Sequence, residues 1–325
     1  MEFKSYPNRE KILFTARAAG DDDPLSAKLY TATTGISTYK EKEVAEPGQV
    51  KLVLDNQKYE ILKFDLSPNG ETIVVQRGNR KDPSDYGLWF MPATGKISAK
   101  NLKQVESEPG GEFRITPDSQ AVAISQGQGT AILPLQTDAS KPLDFLPQFG
   151  LVQAFSKDGT RAAMVKFNTD YTRDLFLVTS QGPQKPLVKT TGSIVSCLFD
   201  PASPTLYCLL TQLLPGELYQ EQPYLVAIDL KTGEQRPLLV LPAGQRNVRM
   251  SLSPDGLGLL FDQVQSKPTT VQSSPDSKLR TDDSQQIASS QLWLMPLLPI
   301  TDSKKSKAIK PDQLPLVGFN PQWLP

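Results

Sequence analysis

A turn pattern recurring along the whole chain constrains the fold more than any other feature. It places a hydroxyl or Asp first, then Pro or Lys, then an Asx residue, then Gly or Ser. It reads Ser67-Pro68-Asn69-Gly70, Thr116-Pro117-Asp118-Ser119, Ser156-Lys157-Asp158-Gly159, the weaker Asp200-Pro201-Ala202-Ser203, and Ser253-Pro254-Asp255-Gly256. The spacings are 49, 40, 44 and 53 residues. Short apolar strands flank the turns, as in Lys63–Leu66 before Thr72–Val75 and Val195–Phe199 before Leu206–Leu210. Proline presets φ at the second turn position, and Asx and Gly accept the bridge or left-handed conformations that follow. Each pattern therefore predicts a tight β-hairpin.

A second element follows each hairpin. Gly87-Leu88-Trp89-Phe90-Met91-Pro92 and Gln291-Leu292-Trp293-Leu294-Met295-Pro296 are close to a literal repeat. Leu175–Val178, Tyr224–Ile228 and Lys28-Leu29-Tyr30 are related segments, and short final strands such as Val50–Leu54, Pro186–Val188 and Pro237–Leu241 complete the units. Four short strands in about 40–60 residues is the content of a β-propeller blade. The 28 prolines suit a turn-dense all-β chain. The end of the chain, Asn320-Pro321-Gln322-Trp323-Leu324-Pro325, and its start, Tyr6-Pro7-Asn8-Arg9 followed by Ile12-Leu13-Phe14, combine into one further strand–turn–strand unit. The expectation is an all-β, six-bladed propeller of four-stranded antiparallel blades. The C-terminal strand joins the N-terminal blade, so no sheet edge is left open. A single domain over residues 1–325 is expected, with a flexible insert at residues 265–290.

Composition excludes several function classes. The chain has no histidine, which removes Ser–His–Asp and Cys–His mechanisms and His-ligated metals. No catalytic residue, metal ligand or cofactor site is identified, and the expectation is a chain that is not an enzyme. Lys+Arg and Asp+Glu balance at 35 each, against a nucleic-acid partner. No apolar run approaches a membrane span.

The strand–Ser-Pro-Asp-Gly–strand unit, six times over, resembles the propeller of TolB and its relatives. The best matches are residues 63–76, residues 249–262, and residues 320–325 combined with 6–16. The resemblance implies a protein–protein interaction or scaffold module of the bacterial envelope, periplasmic or otherwise extracytoplasmic, with the cytoplasm left open. The family's N-terminal α/β domain has no counterpart in this sequence, and its partner-binding residues have no alignable motif here, so none is carried over. A sensory or cap domain belonging to a longer protein is a further reading of the same repeats.

In a blade with strands A to D, the A–B and C–D turns share one end of the propeller. The B–C loops and the crossovers share the other. The A–B turns are tight, whereas residues 16–27, 77–86, 167–174, 211–223 and 262–290 read as long, charged B–C loops. Binding on propellers concentrates on such loops, so a monomer taking a protein partner on the long-loop face is expected. The partner-binding candidates are Asp22, Arg77, Arg80, Asp82, Asp170, Tyr171, Arg173 and Tyr219. Asp21-Asp22-Asp23 is read as a solvated turn, with calcium binding as its alternative. Trp89, Phe90, Phe176 and Trp293 are expected in the core. The alternative function is a carboxylate-dependent carbohydrate-binding or glycoside-acting propeller, with Asp65, Glu112 and Asp200 nearest the channel. Cys197 and Cys208 flank one hairpin turn at equal distances, since 197+208 equals 200+205. They either form a cross-strand disulfide, which would argue for an oxidising compartment, or are two buried thiols.

Overall fold

The computed structural model describes residues 11–16, 28–33, 50–54, 59–79, 81–93, 102–105, 111–127, 129–135, 143, 145–147, 149–216, 221–243, 245, 248–266, 287–297 and 310–324. They form strands in six antiparallel sheets. The first blade holds β1 (Lys11–Ala16), β2 (Lys28–Thr33) and β3 (Val50–Leu54). The second holds β4 (Tyr59–Leu66), β5 (Thr72–Asn79), β6 (Asp82–Pro92) and β7 (Lys103–Gln104). The third shows three strands among the described residues, β8 (Phe113–Ile115), β9 (Ala121–Gln126) and β10 (Gly129–Pro134). The fourth runs β11 (Leu151–Phe155), β12 (Arg161–Phe167), β13 (Arg173–Thr179) and β14 (Gly182–Thr190). The fifth runs β15 (Ile194–Phe199), β16 (Thr205–Leu213), β17 (Glu221–Asp229) and β18 (Gln235–Val240). The sixth runs β19 (Met250–Leu252), β20 (Gly258–Ser266), β21 (Ile287–Pro296) and β22 (Asp312–Val317). The last strand, β23 (Phe319–Trp323), pairs with β1 through Ile12↔Trp323 and Leu13↔Gln322. It is the inner strand of the first blade, as the sequence predicts, and it closes the ring.

The repeated turns work by one device. The hydroxyl oxygen of Ser67, Thr116, Ser156 or Ser253 accepts the backbone N–H five residues on, at 2.8–3.0 Å, and donates to the Asx side chain two residues on, at 2.5–2.6 Å. The fourth turn position is left-handed, with φ of 74° at Gly70, 70° at Gly159 and 76° at Gly256. Only glycine adopts that conformation without a steric cost. Ser119 takes it with φ of 62°.

The core is a ring of apolar clusters between adjacent blades. Leu13 and Leu54 of blade one meet Phe64 and Val75 of blade two. The seam between the last blade and the first holds Phe14, Leu260, Leu316 and Trp323. Burial at this seam is as complete as at the others, so closure rests on packing as well as on strand pairing.

The long-loop expectation is corrected at two places. Residues 77–79 and 82–86 belong to the β5–β6 hairpin, with Arg77↔Gly87 and Gly78↔Tyr86 paired. Residues 211–213 and 221–223 likewise extend β16 and β17, with Leu213↔Glu221 paired. Backbone groups gain ladder partners there that a loop would leave to water. Residues 265–266 and 287–290 of the expected insert are strand. Residues 267–286 lie outside the described residues, as do Asp22, Arg80, Tyr219 and the run at 301–309.

Candidate functional site

The six inner strands surround a channel of ≈ 400 Å³. Its lining starts at Lys63, Arg114, Arg249 and Asn320 and ends at the turn residues Pro68, Pro117, Lys157, Pro201 and Pro254. The described channel therefore reaches the A–B turn end of the propeller, opposite the hairpin extensions.

At the inner end, strands distant in sequence converge. Lys63 of β4 and Arg249, just before β19, both donate to the Glu112 carboxylate. A second Arg249 hydrogen bond, from Nη1 to Glu112 Oε2, measures 3.0 Å and makes the arginine pair bidentate. Arg114 Nη1 lies 4.0 Å from Glu112 Oε2. Its Nε donates to Gln153 O at 2.9 Å and its Nη1 to Phe113 O at 3.1 Å. The Lys63 side chain is 7% exposed, whereas that of Glu112 is 42% exposed. Burial, then repulsion from Arg114, pulls the Lys63 ammonium down to about 7, although the Glu112 charge opposes this. Burial alone would raise the Glu112 pKa, but the charges of Lys63, Arg249 and Arg114 hold it well below the usual carboxylate range.

Behind Arg249 lies Asp262 of β20, which is fully buried. Its carboxylate accepts the backbone N–H of Arg249 at 2.7 Å and of Asn320 at 2.8 Å. It thus ties the sixth blade to the closing strand. Burial raises its pKa to about 6, against the lowering effect of those hydrogen bonds. A carboxyl whose folded pKa lies above its unfolded value binds its proton more tightly when folded. The contribution of Asp262 to stability is therefore fully present below about pH 4 and is lost as pH rises through about 6. Asp262→Asn should flatten that decline. The check is the urea midpoint of both proteins from pH 4 to pH 7, where equal slopes would contradict the assignment.

The carboxylates proposed for glycoside chemistry are engaged otherwise. Asp65 accepts Ile115 N–H at 3.0 Å and Gln322 Nε2 at 3.2 Å, linking three blades. Asp200 caps its own turn through Ala202 and Ser203 N–H, both at 2.8 Å. Glu112 is held by cations. All three carboxylates thus carry structural contacts.

The sequence-derived binding candidates separate. Arg77 is buried, with its guanidinium 3.7 Å from the Trp89 ring centroid and 4.1 Å from that of Tyr59. It packs the second blade and does not present a charge to solvent, so as a surface contact it is corrected. Asp82 is exposed and accepts from the Ser84 backbone and hydroxyl. Asp170, Tyr171 and Arg173 share the B–C turn of blade four. Asn168 N–H donates to Thr172 O at 2.9 Å and Tyr171 N–H to Asn168 O at 3.1 Å, closing the turn. Asp170 accepts Thr172 N–H and hydroxyl and pairs with Lys189 at 3.1 Å. These hydrogen bonds, that of the Thr172 hydroxyl first, push its pKa down to about 2. Arg173 Nη1 donates to Thr191 O and Gly192 O at 2.9 and 3.0 Å. Tyr171 sits at the tip, 89% exposed and with φ of 62°. Phe149, Phe167 and Leu213, on neighbouring strand ends of blades four and five, are exposed at the same end of the propeller.

Cys197 and Cys208 are register partners across β15 and β16, with Cα atoms 4.2 Å apart and the sulfurs joined as a disulfide. Phe176 is buried, and Trp89, Phe90 and Trp293 are half-buried. Among the described residues, no three His, Cys, Asp or Glu side chains gather as a metal site, and no helix is long and apolar enough to cross a membrane. Sequence reading missed Lys63, Arg114, Arg249 and Asp262. The signal available was a charged residue two or four positions before a repeated turn, as at Lys63, Arg114 and Arg249.

No family model matches the sequence. No curated protein matches it either. Solved structures do match. TolB from Acinetobacter baumannii is 15% identical over 97% of this chain and 67% of that chain, with a TM-score of 0.59. The periplasmic gluconolactonase PpgL from Pseudomonas aeruginosa is 13% identical over 96% of this chain and 97% of that chain, with a TM-score of 0.45. Such identities show the fold alone. The expectation that the chain is not an enzyme is corrected by this comparison, in which a matching structure is named as a periplasmic gluconolactonase. What the strand order, the ring closure and the Acinetobacter structure establish together is that this chain has a TolB-like six-bladed β-propeller fold.

Proposed function

We propose that the chain is a partner-binding propeller of the bacterial envelope, docking a protein on the hairpin end of blades four and five. The observation that carries this reading is Tyr171. A large aromatic group is held in a left-handed conformation that costs roughly 1–2 kcal/mol for a non-glycine residue, at a tip fixed by five local hydrogen bonds. Strain of this kind collects where function requires a fixed presentation. Rigid, exposed tyrosines make anchors at interfaces, and Phe149, Phe167 and Leu213 add exposed apolar groups at the same end. Asp170 and Arg173 supply the polar rim. The Cys197–Cys208 disulfide supports an oxidising compartment such as the periplasm.

Tyr171→Gly separates binding from folding. Relief of the left-handed strain should raise stability by about 1 kcal/mol. Affinity for the partner should fall at least about tenfold, the loss expected of an interface anchor. The two quantities are read by a urea titration and by titration of the purified partner. Unchanged affinity would remove the proposed face.

A further inference from the structure

We propose that the central channel is a binding site for small organic anions, with a carboxylate or phosphate head at Lys63, Arg114 and Arg249 and an apolar body lying toward the proline-rimmed mouth. This goes beyond the partner-docking reading and concerns the opposite end of the propeller. The first argument is charge. The lining carries Lys63, Arg114, Lys157 and Arg249 against one carboxylate, Asp65, whose oxygens already accept from Ile115 and Gln322. Glu112 is not part of the lining. Its side chain, 42% exposed, grips Lys63 and Arg249 and fixes their heads at the inner end of the channel. With Lys63 protonated, three cations face the Glu112 carboxylate there, and the Asp262 carboxylate lies behind Arg249. Pinning blades two, three and six together takes both Lys63 and Arg249 on the Glu112 carboxylate, so Arg114, 4.0 Å from it, is the surplus cation, and burying surplus like charge is costly.

The second argument is shape. A channel of ≈ 400 Å³ lies within the range of small-ligand pockets, roughly 300–1,000 Å³. Leu198, Phe155 and Phe199 supply apolar wall, and Pro68, Pro117, Pro201 and Pro254 make a stiff rim. Glu112 takes the Nη1–Nη2 fork of Arg249 and backbone carbonyls take Arg114 Nε and Nη1, so an anion would meet the remaining N–H groups of the two guanidiniums as charge-assisted donors. In a site of low dielectric such contacts are stronger than in water. Lys63 is faced by Glu112, Arg114 and Arg249, shares β4 with Asp65, and lies beside the Phe113 ring and carbonyl. With its ammonium near 7, anion affinity should fall as pH rises from about 6 to about 9.

The test is calorimetric titration of the full chain with phenyl phosphate, phenylacetate and the neutral benzyl alcohol. One molecule of anion should bind per chain, at least about tenfold more tightly than benzyl alcohol. The order of the two anions identifies the preferred head group. Arg114→Gln should weaken both anions at least about fivefold, and Tyr171→Gly should leave them unchanged, so this site and the partner face fail separately. Equal binding of benzyl alcohol, or no saturable anion binding up to about 10 mM, would overturn the proposal. The charged-against-neutral comparison needs no variant, so it decides the matter even if Arg114→Gln does not fold.

Discussion

A chain lacking residues 319–325 should lose its cooperative folded state. The deletion removes β23, the inner strand of blade one, and leaves β1 with an open edge. It removes Trp323 from the seam between blades six and one. It takes away Gln322, which accepts Leu66 N–H at 2.9 Å and donates to Phe64 O at 3.2 Å. It also leaves Asp262 without Asn320 N–H, inside a fully buried site. The summed loss rivals the roughly 5–15 kcal/mol that stabilises a whole domain. Thermal denaturation followed by circular dichroism, with gel filtration, is the check. A truncated chain that elutes as a compact monomer and melts within a few degrees of the full chain would show that closure is dispensable.

Gly192→Ala should be the most damaging single substitution. Gly192 lies on the crossover from blade four to blade five, and an added Cβ would stand 1.8 Å from the Thr211 carbonyl oxygen and 2.6 Å from its carbon. Its φ is not in the left-handed region, so contact alone imposes the requirement. The obstruction is backbone that cannot rotate aside, because Thr211 N–H donates to Ser193 O at 2.9 Å and Ser193 N–H donates back to the Thr211 hydroxyl at 2.6 Å. Arg173 also holds the Gly192 carbonyl. The expected loss is about 3 kcal/mol or more, at or beyond the top of the usual overpacking range. A urea titration measures it. A loss below about 1 kcal/mol would mean that the crossover gives way more easily than this bonding implies.

Blade number and ring closure were legible in the sequence because each blade carries its own turn chemistry. The hydroxyl of Ser253 and the carboxylate of Asp255 act within five residues of each other, so local spacing reveals them. The channel end was not legible. Glu112 is 49 residues from Lys63 and 137 from Arg249, and only the closed ring brings them together. Asp262 read as the opening of a polar loop, but β20 runs four residues past it and buries it. Arg77 likewise read as a surface charge, because hydrophilic composition does not distinguish a loop from a hairpin whose cation stacks on Tyr59 and Trp89. The Asp170–Tyr171 turn was found as a charged and aromatic stretch. The left-handed conformation that gives Tyr171 its interest lies in the backbone and has no sequence signature of its own.

The most direct test of the partner-docking account places a photo-crosslinking phenylalanine derivative at position 171, in the full chain expressed in its source cells. The control position is Gln181, exposed on the C–D turn at the other end of the same blade. The account predicts a single envelope-protein adduct from position 171 and none from 181. Adducts of equal yield from both positions, or from 181 alone, would contradict it.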